Sequence, residues 1–187
     1  FKWVAGLKKY DQRIKPGRYR LQNGMSNNEL VNMLRIGDQR PVRVSFNNMR
    51  TIEQLAGRLA QQMAPDSLEF LNTLLDPEVM NKYGFNRDNF ITMFIPDTYE
   101  LYWTDSPNTF VARMADNFKR FWTPDRIAKA KAIGLSQSEV ATIASIVQAE
   151  QSEHPEEWKT IAGLYLNRIR RNIPLQSDPT VIYGVGD

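Results

Sequence analysis

The stretch Ser136-Gln-Ser-Glu-Val-Ala-Thr-Ile-Ala-Ser-Ile-Val-Gln-Ala-Glu150 reads as one helix. Ser136 and Glu139 form a capping box, in which each side chain satisfies a backbone N–H that the first turn leaves without a partner. At about 100° per residue, Val140, Ile143, Ala144 and Val147 fall in one apolar stripe. Glu150 comes one turn after Val147 and sits at the edge of that stripe rather than opposite it. A carboxylate held against apolar surface is costly, which predicts a raised pKa and a proton available near neutral pH, as a general acid requires. The same position also fits a glutamate at a frayed helix end that reaches water.

Downstream, Pro155, Glu156 and Glu157 suit the start of another helix, with proline in its first turn and acids near its positive end. Trp158, Ile161, Ala162, Tyr165 and Ile169 are its expected buried face, Asn167 points away from it, and Arg168 lies to one side. In Ile173–Tyr183, Pro174 and Pro179 argue against a continuous helix, so Gln176, Ser177, Asp178 and Thr180 are expected on a shaped loop. Such short donors and acceptors suit carbohydrate hydroxyls and N-acetyl groups, although Ser and Asp before Pro are also ordinary turn formers.

Upstream, 107–122 and 124–133 read as helices, with Gly134 ending the second. The aromatic run Ile95-Pro-Asp-Thr-Tyr-Glu-Leu-Tyr-Trp103 is broken by Pro96, which places Tyr99, Tyr102 and Trp103 on a loop or extended segment. Aromatics there either stack on a sugar or pack beneath the loop. Asp66 opens a short helix with Leu68, Leu71, Leu74 and Leu75 inward. Residues 17–63 read as strand–helix–strand–helix. Gly17–Leu21 and Pro41–Phe46 alternate like half-buried strands. Ser26-Asn-Asn-Glu29 and Thr51-Ile-Glu-Gln54 are capping boxes. They precede helices carrying Leu30, Met33 and Leu34, stopped at Gly37, and Leu55, Leu59 and Met63. The Ala64-Pro-Asp66 break divides the chain into 1–64 and 65–187. The expected class is α+β.

The 187 residues are 42% hydrophobic and 24% charged, as in a packed globular chain. The net charge is only +3, and the densest basic spot, Arg168–Arg170–Arg171, closes a helix, so a nucleic-acid partner is not expected. Cysteine is absent and His154 is the single histidine, which excludes disulfides, thiolate sites and histidine-based metal centres. Neither metal nor cofactor is expected. No stretch approaches the roughly 18 apolar residues of a membrane span. Both ends read as cuts within a longer protein.

Three segments carry a resemblance: Ala144-Ser-Ile-Val-Gln-Ala-Glu150, Ala162-Gly-Leu-Tyr-Leu-Asn-Arg168 and Pro174-Leu-Gln-Ser-Asp-Pro-Thr-Val-Ile-Tyr-Gly184. With Ile95-Pro-Asp-Thr-Tyr-Glu100 and the upstream strand–helix stretch, they closely resemble the YceG-like family, the endolytic murein transglycosylases, from about Ile14 onward. The resemblance implies a LysM-like strand/helix module (1–64) and a mainly helical, lytic-transglycosylase-like catalytic domain (65–187). It also implies that this domain is incomplete at its C-terminal end. Also implied are an N-terminal membrane anchor outside this chain and a single pass through the inner membrane, with this part on the periplasmic side. The implied substrate is nascent peptidoglycan glycan, cut within the strand between N-acetylmuramic acid and N-acetylglucosamine. The cut leaves a 1,6-anhydromuramic end that terminates elongation, and a peptidoglycan synthase is the partner the resemblance suggests. The family's catalytic acid, the second of a Val-Glu-x-Glu-Thr run, falls on Glu150. Gln148 stands in place of the first Glu and Gln151 in place of the Thr. Gln148, Gln151, Asn167, Arg168, Gln176, Ser177, Asp178, Thr180, Tyr183 and Tyr99 are the substrate contacts it suggests. The Gln148 replacement and the LysM-like module also fit a non-catalytic peptidoglycan-binding or scaffolding protein.

Overall fold

A computed structural model describes residues 1–185 and shows a mainly helical α+β chain. In order, the elements are α1 (Lys2–Leu7), α2 (Asn27–Ile36), β1 (Val42–Phe46), α3 (Ile52–Ala60), α4 (Ser67–Leu74), α5 (Pro77–Lys82) and β2 (Asp97–Leu101). There follow α6 (Pro107–Phe121), α7 (Pro124–Ala132), α8 (Gln137–Glu150), α9 (Trp158–Arg170) and α10 (Asp178–Val185). Short 3-10 turns stand at Tyr10–Gln12, Phe90–Met93 and Pro155–Glu157. The chain forms two units: Phe1–Arg87 with Pro96–Met114, and Asp88–Ile95 with the chain from Ala115 onward.

Local chemistry sets the helix starts of the first unit. The Ser26/Glu29 capping box opens α2, and Gly37 stops it in the left-handed conformation at φ 82°. Thr51 caps α3 by accepting from the Gln54 N–H, whereas Gln54 turns to the Arg50 N–H, so the box expected there is half formed. Asp66 and Glu69 make a complete box at α4. β1 pairs antiparallel with β2, Val44 opposite Tyr99, and its alternating burial puts Val42, Val44 and Phe46 inward. Those residues meet Leu55 and Leu59 of α3 and Phe70 and Leu74 of α4 in a core that excludes water. Each such large side chain contributes about 1.5–3 kcal/mol on burial.

Several expectations are corrected here. Gly17–Leu21 is not a strand, since β1 takes its partner from β2 and 17–21 has no ladder of its own. In α2 the fully buried residue is Val31 rather than Leu30, Met33 or Leu34. Leu68 is exposed, because α4 turns Phe70 and Leu74 inward. Within the 95–103 segment, expected as a loop or extended stretch, Asp97–Leu101 is extended and paired as β2. That pairing carries the first unit past the break at 64–66.

In the second unit, Phe90, Met93, Phe94, Phe118, Trp122, Ala130, Val147 and Tyr165 are buried. The 3-10 turn at Phe90–Met93 is tied to the start of α8 by the Thr92 hydroxyl, which donates to Ser138 Oγ at 3.1 Å. Pro179 does not exclude a helix. It occupies the first turn of α10, where its missing N–H costs nothing.

Candidate active site

Three pieces of the second unit converge on Glu150. The Ser136/Glu139 box starts α8 as the sequence indicates, and the helix runs to Glu150 at its last position. The adjacent Gln151 is extended (φ −139°, ψ 91°) and organises the turn that follows. Its side-chain oxygen accepts from the N–H groups of Glu153 and His154, and its amide donates to Glu157 at 3.0 Å. The indole N–H of Trp158 donates to the Gln151 carbonyl at 2.6 Å. This folds α9 back against α8 and brings Tyr165 to the carboxylate.

Tyr165 donates its hydroxyl to Glu150 Oε2 at 3.0 Å, and Ser177 donates to the same oxygen at 2.8 Å. Both donors are buried: Tyr165 is 3% exposed and Ser177 1%. Ser177 is the buried polar residue among those described, and a buried hydroxyl is tolerated only when it is bonded. Burial raises the Tyr165 phenol above its ordinary value, and the Glu150 carboxylate adds to that. A hydrogen bond from Ser177 and the charge of Arg168 act the other way. Tyr165 is therefore a neutral donor across the physiological range. Among the described residues no donor reaches the other carboxylate oxygen, Oε1, and Glu150 itself is exposed.

Arg168 explains why Ser177 is in place. Its Nη1 donates to the carbonyls of Pro174 (3.3 Å) and Leu175 and to Gln176 Oε1 (2.9 Å). Just beyond α9, Asn172 stands at φ 53°, and Gln176 follows at φ 52°. These two left-handed residues turn the chain sharply, and the guanidinium holds the loop between them. Ser177 then precedes α10, its carbonyl accepting from the Thr180 N–H (3.0 Å) and the Thr180 hydroxyl (2.7 Å).

The expected site residues separate into groups. Glu150 and Ser177 come together, with Tyr165, which the sequence reading placed only on a buried face. A buried tyrosine needs a partner for its hydroxyl, and that need was the available signal. Arg168 and Gln176 bind each other, Gln151 is occupied in the α8–α9 turn, and Thr180 bonds back to Ser177. Gln148, Asn167, Asp178 and Tyr183 are exposed. Tyr99 belongs to the first unit, where its ring stacks on Phe46 at 5.3 Å. Two expectations of burial are corrected. Within the α8 stripe only Val147 is buried, and Glu150 is open to solvent, because α8 carries apolar residues on several faces and the described residues cover only part of them. On α9 only Tyr165 is buried, while Trp158 and Ile169 reach solvent.

Comparison with known proteins matches residues 1–187 to the YceG-like family model. An endolytic murein transglycosylase of Streptococcus pneumoniae serotype 2 is 26% identical over 213 aligned positions, covering 100% of this chain. The chain spans 38% of that relative's length. An endolytic murein transglycosylase of Bacillus subtilis is 38% identical over 52 residues, 28% of this chain and 14% of the relative. The crystal structure of a yceG-like protein from Listeria monocytogenes has the same fold, with a TM-score of 0.69 at 22% identity. It is matched over 100% of this chain and 67% of the Listeria chain.

Proposed function

The chain belongs to the YceG-like family, and from that membership and the surroundings of Glu150 we propose that it is part of a lytic transglycosylase acting within peptidoglycan glycan strands. The observation that carries the reading is the cluster in which Tyr165 and Ser177 both donate to one oxygen of Glu150. The names of the pneumococcal and Bacillus relatives support the substrate and the lyase class.

In the proposed reaction Glu150 gives a proton to the glycosidic oxygen between N-acetylmuramic acid and N-acetylglucosamine as the bond from C1 breaks. The carboxylate then takes the proton of the muramic C6 hydroxyl while O6 bonds to C1. The product is a 1,6-anhydro end, no water is consumed, and Glu150 returns to its starting state. One carboxyl suffices, unlike the paired acids of most glycosidases. Tyr165 and Ser177 fix the Oε2 side of Glu150, which leaves Oε1 to face the sugar. Gln148, Asn167, Asp178 and Tyr183 are the exposed polar side chains proposed to line the substrate.

The proposal extends to the whole protein. The antiparallel β1–β2 pair, with α3, α4 and α5 following β1 in the chain before β2, supports a LysM-like glycan-binding module in the first unit, with chemistry assigned to the second. Attachment to the inner membrane by an N-terminal anchor, a periplasmic site of action, a synthase partner and a role in terminating glycan elongation complete the reading.

The test is digestion of purified peptidoglycan by the full protein, wild type beside Glu150→Gln, with released muropeptides read by mass. Anhydromuropeptides from wild type alone are expected. Reducing muramic ends instead would overturn the lyase reading, and equal release by Glu150→Gln would remove Glu150 from its role. Retention on sacculi with no release by either protein would favour a glycan-binding protein, the reading that Gln148 suggests.

A further inference from the structure

An open groove of 670 Å³ in the first unit is lined by Arg18, Arg20, Arg40 and Arg43, with Tyr19 and Pro41 beside them. The lining holds four arginines and no acid, a local charge of +4 where the whole chain carries +3. The groove is thus a local concentration of positive charge with no acid in its lining.

The backbone gathers these side chains. The Arg40 N–H donates to the Arg18 carbonyl at 2.8 Å, which ties the two segments together at the groove. Tyr19 donates its hydroxyl to the Lys15 carbonyl at 2.9 Å. Nearby Lys15 is spent on the Ile36 carbonyl at the end of α2, at 2.8 Å. The arginines are not spent in this way. Arg18, Tyr19 and Arg20 follow the turn at Gly17 in a segment with no strand partner, and Arg40 stands just before β1. Arg43 is opposite Glu100 in the sheet register, yet among the described residues no carboxylate lies within 4.0 Å of any of the four guanidiniums. Like charges brought together without counter-charges repel, and the arrangement weakens the fold unless an anion occupies it.

We propose that this groove binds closely spaced phosphate groups, a diphosphate or phosphodiester unit, through Arg18, Arg20, Arg40 and Arg43. Arginine suits this better than lysine, because its planar fork meets an oxyanion with two parallel hydrogen bonds. A single carboxylate would occupy one fork. Four forks around one opening call for several acidic oxygens at short spacing, and adjacent phosphates supply them. The groove is open to solvent, so the attraction falls with added salt. Phosphates in solution and phosphates presented on a lipid surface share this chemistry.

Calorimetric titration of the whole chain with inorganic diphosphate and with inorganic monophosphate, at low and at physiological ionic strength, tests the proposal. The variants are Arg18→Gln/Arg40→Gln and a control of equal net charge, Lys119→Gln/Arg120→Gln, on exposed positions of α6. Diphosphate is expected to bind more tightly than monophosphate. The groove variant should weaken it about tenfold or more, and the control less than about twofold. The groove variant, relieved of repulsion, should melt no lower than wild type without ligand, which separates lost binding from lost folding. Equal weakening by the two variants, or no preference for diphosphate, overturns the proposal. A second arm uses phosphatidylcholine vesicles with and without phosphatidylglycerol. Vesicle binding that inorganic diphosphate competes away assigns the phosphates to a lipid surface, and diphosphate binding without vesicle affinity assigns them to a soluble ligand.

Discussion

Removing the two hydroxyls that meet at Glu150, singly and together, tests the architecture of the site. Tyr165→Phe keeps the buried ring and deletes one donor. Ser177→Ala deletes the other and leaves the Ser177 carbonyl to accept from Thr180. A hydrogen bond to a charged group contributes about 1.5–3 kcal/mol. Glu150 is exposed and water can replace a lost donor, which brings each deletion to about 1 kcal/mol of stability. The two donors share one oxygen, so after the first is lost the second strengthens and cushions the change. The double variant has no such cushion and should lose about 3 kcal/mol, a coupling of about 1 kcal/mol. In turnover, each single change should cost up to about tenfold in kcat, because the other hydroxyl still holds the carboxylate. Losing both should cost about a hundredfold with KM little altered. Urea unfolding of the chain gives the stabilities, and anhydromuropeptide release by the full protein gives the rates. Strict additivity in unfolding would refute the shared-oxygen reasoning. Full turnover by the double variant, with Glu150→Gln inactive, would refute a positioning role for the pair.

Arg168→Ala should free the Pro174–Gln176 loop and lower kcat about tenfold through Ser177. Arg168→Lys should recover much of this, since all three acceptors meet the single nitrogen Nη1 and an ammonium also offers three N–H donors from one nitrogen, and a lysine variant as slow as Arg168→Ala would reject the clamp. Hydrogen bonds from the Ser136 backbone and hydroxyl hold Glu139 below its ordinary 4.5. The unfolded chain therefore binds that proton first, and the cap's stabilisation is complete above pH 4.5 and lost as the pH falls through the depressed folded value. Denaturation followed from pH 7 to pH 3 should show a shallower acid loss for Glu139→Gln than for wild type, and identical slopes would contradict the assignment. Gly134 sits at φ 77° with nothing within 4 Å of an added Cβ, so Gly134→Ala carries only the backbone cost, about 1 kcal/mol by urea midpoint. An unchanged midpoint would mean that the turn relaxes to another conformation.

The helix starts were legible because they are written locally. Ser26, Asp66 and Ser136 each lie three residues before an acid that completes the box, and no tertiary contact is needed to see it. The alternation of Val42, Val44 and Phe46 likewise announced a strand. Its partner was hidden, since β1 pairs with a segment some fifty residues away and Gly17–Leu21 alternates just as well. Alternation says that a segment can be a strand, and only packing says which edge it finds. The α10 helix was missed because Pro179 was read as a breaker, whereas proline in a first turn gives up no intrahelical bond. Glu150 and Ser177 were both singled out, but their meeting depends on Trp158 and Gln151 folding α9 back and on Arg168 turning the loop, neither of which has a local signature.

The chemistry around Glu150 bears on why its partners are hydroxyls and not a second acid. A group that gives a proton and then takes one must be accommodated in both states. Lysine or arginine beside it could only donate, and would favour the carboxylate throughout the cycle. A second carboxylate would repel it once ionised. Serine and tyrosine hydroxyls donate to a carboxylate and, rotated, can accept from a carboxylic acid. Tyr165 stays neutral through the proposed cycle because burial holds its phenol above the ordinary range. In the proposed reaction, a pair of neutral, buried hydroxyls on one oxygen would therefore orient Glu150 without committing it to either protonation state. A reaction in which a single residue serves as acid and then base has that requirement, whereas inverting hydrolysis, in which one carboxyl is the acid and the other the base, does not.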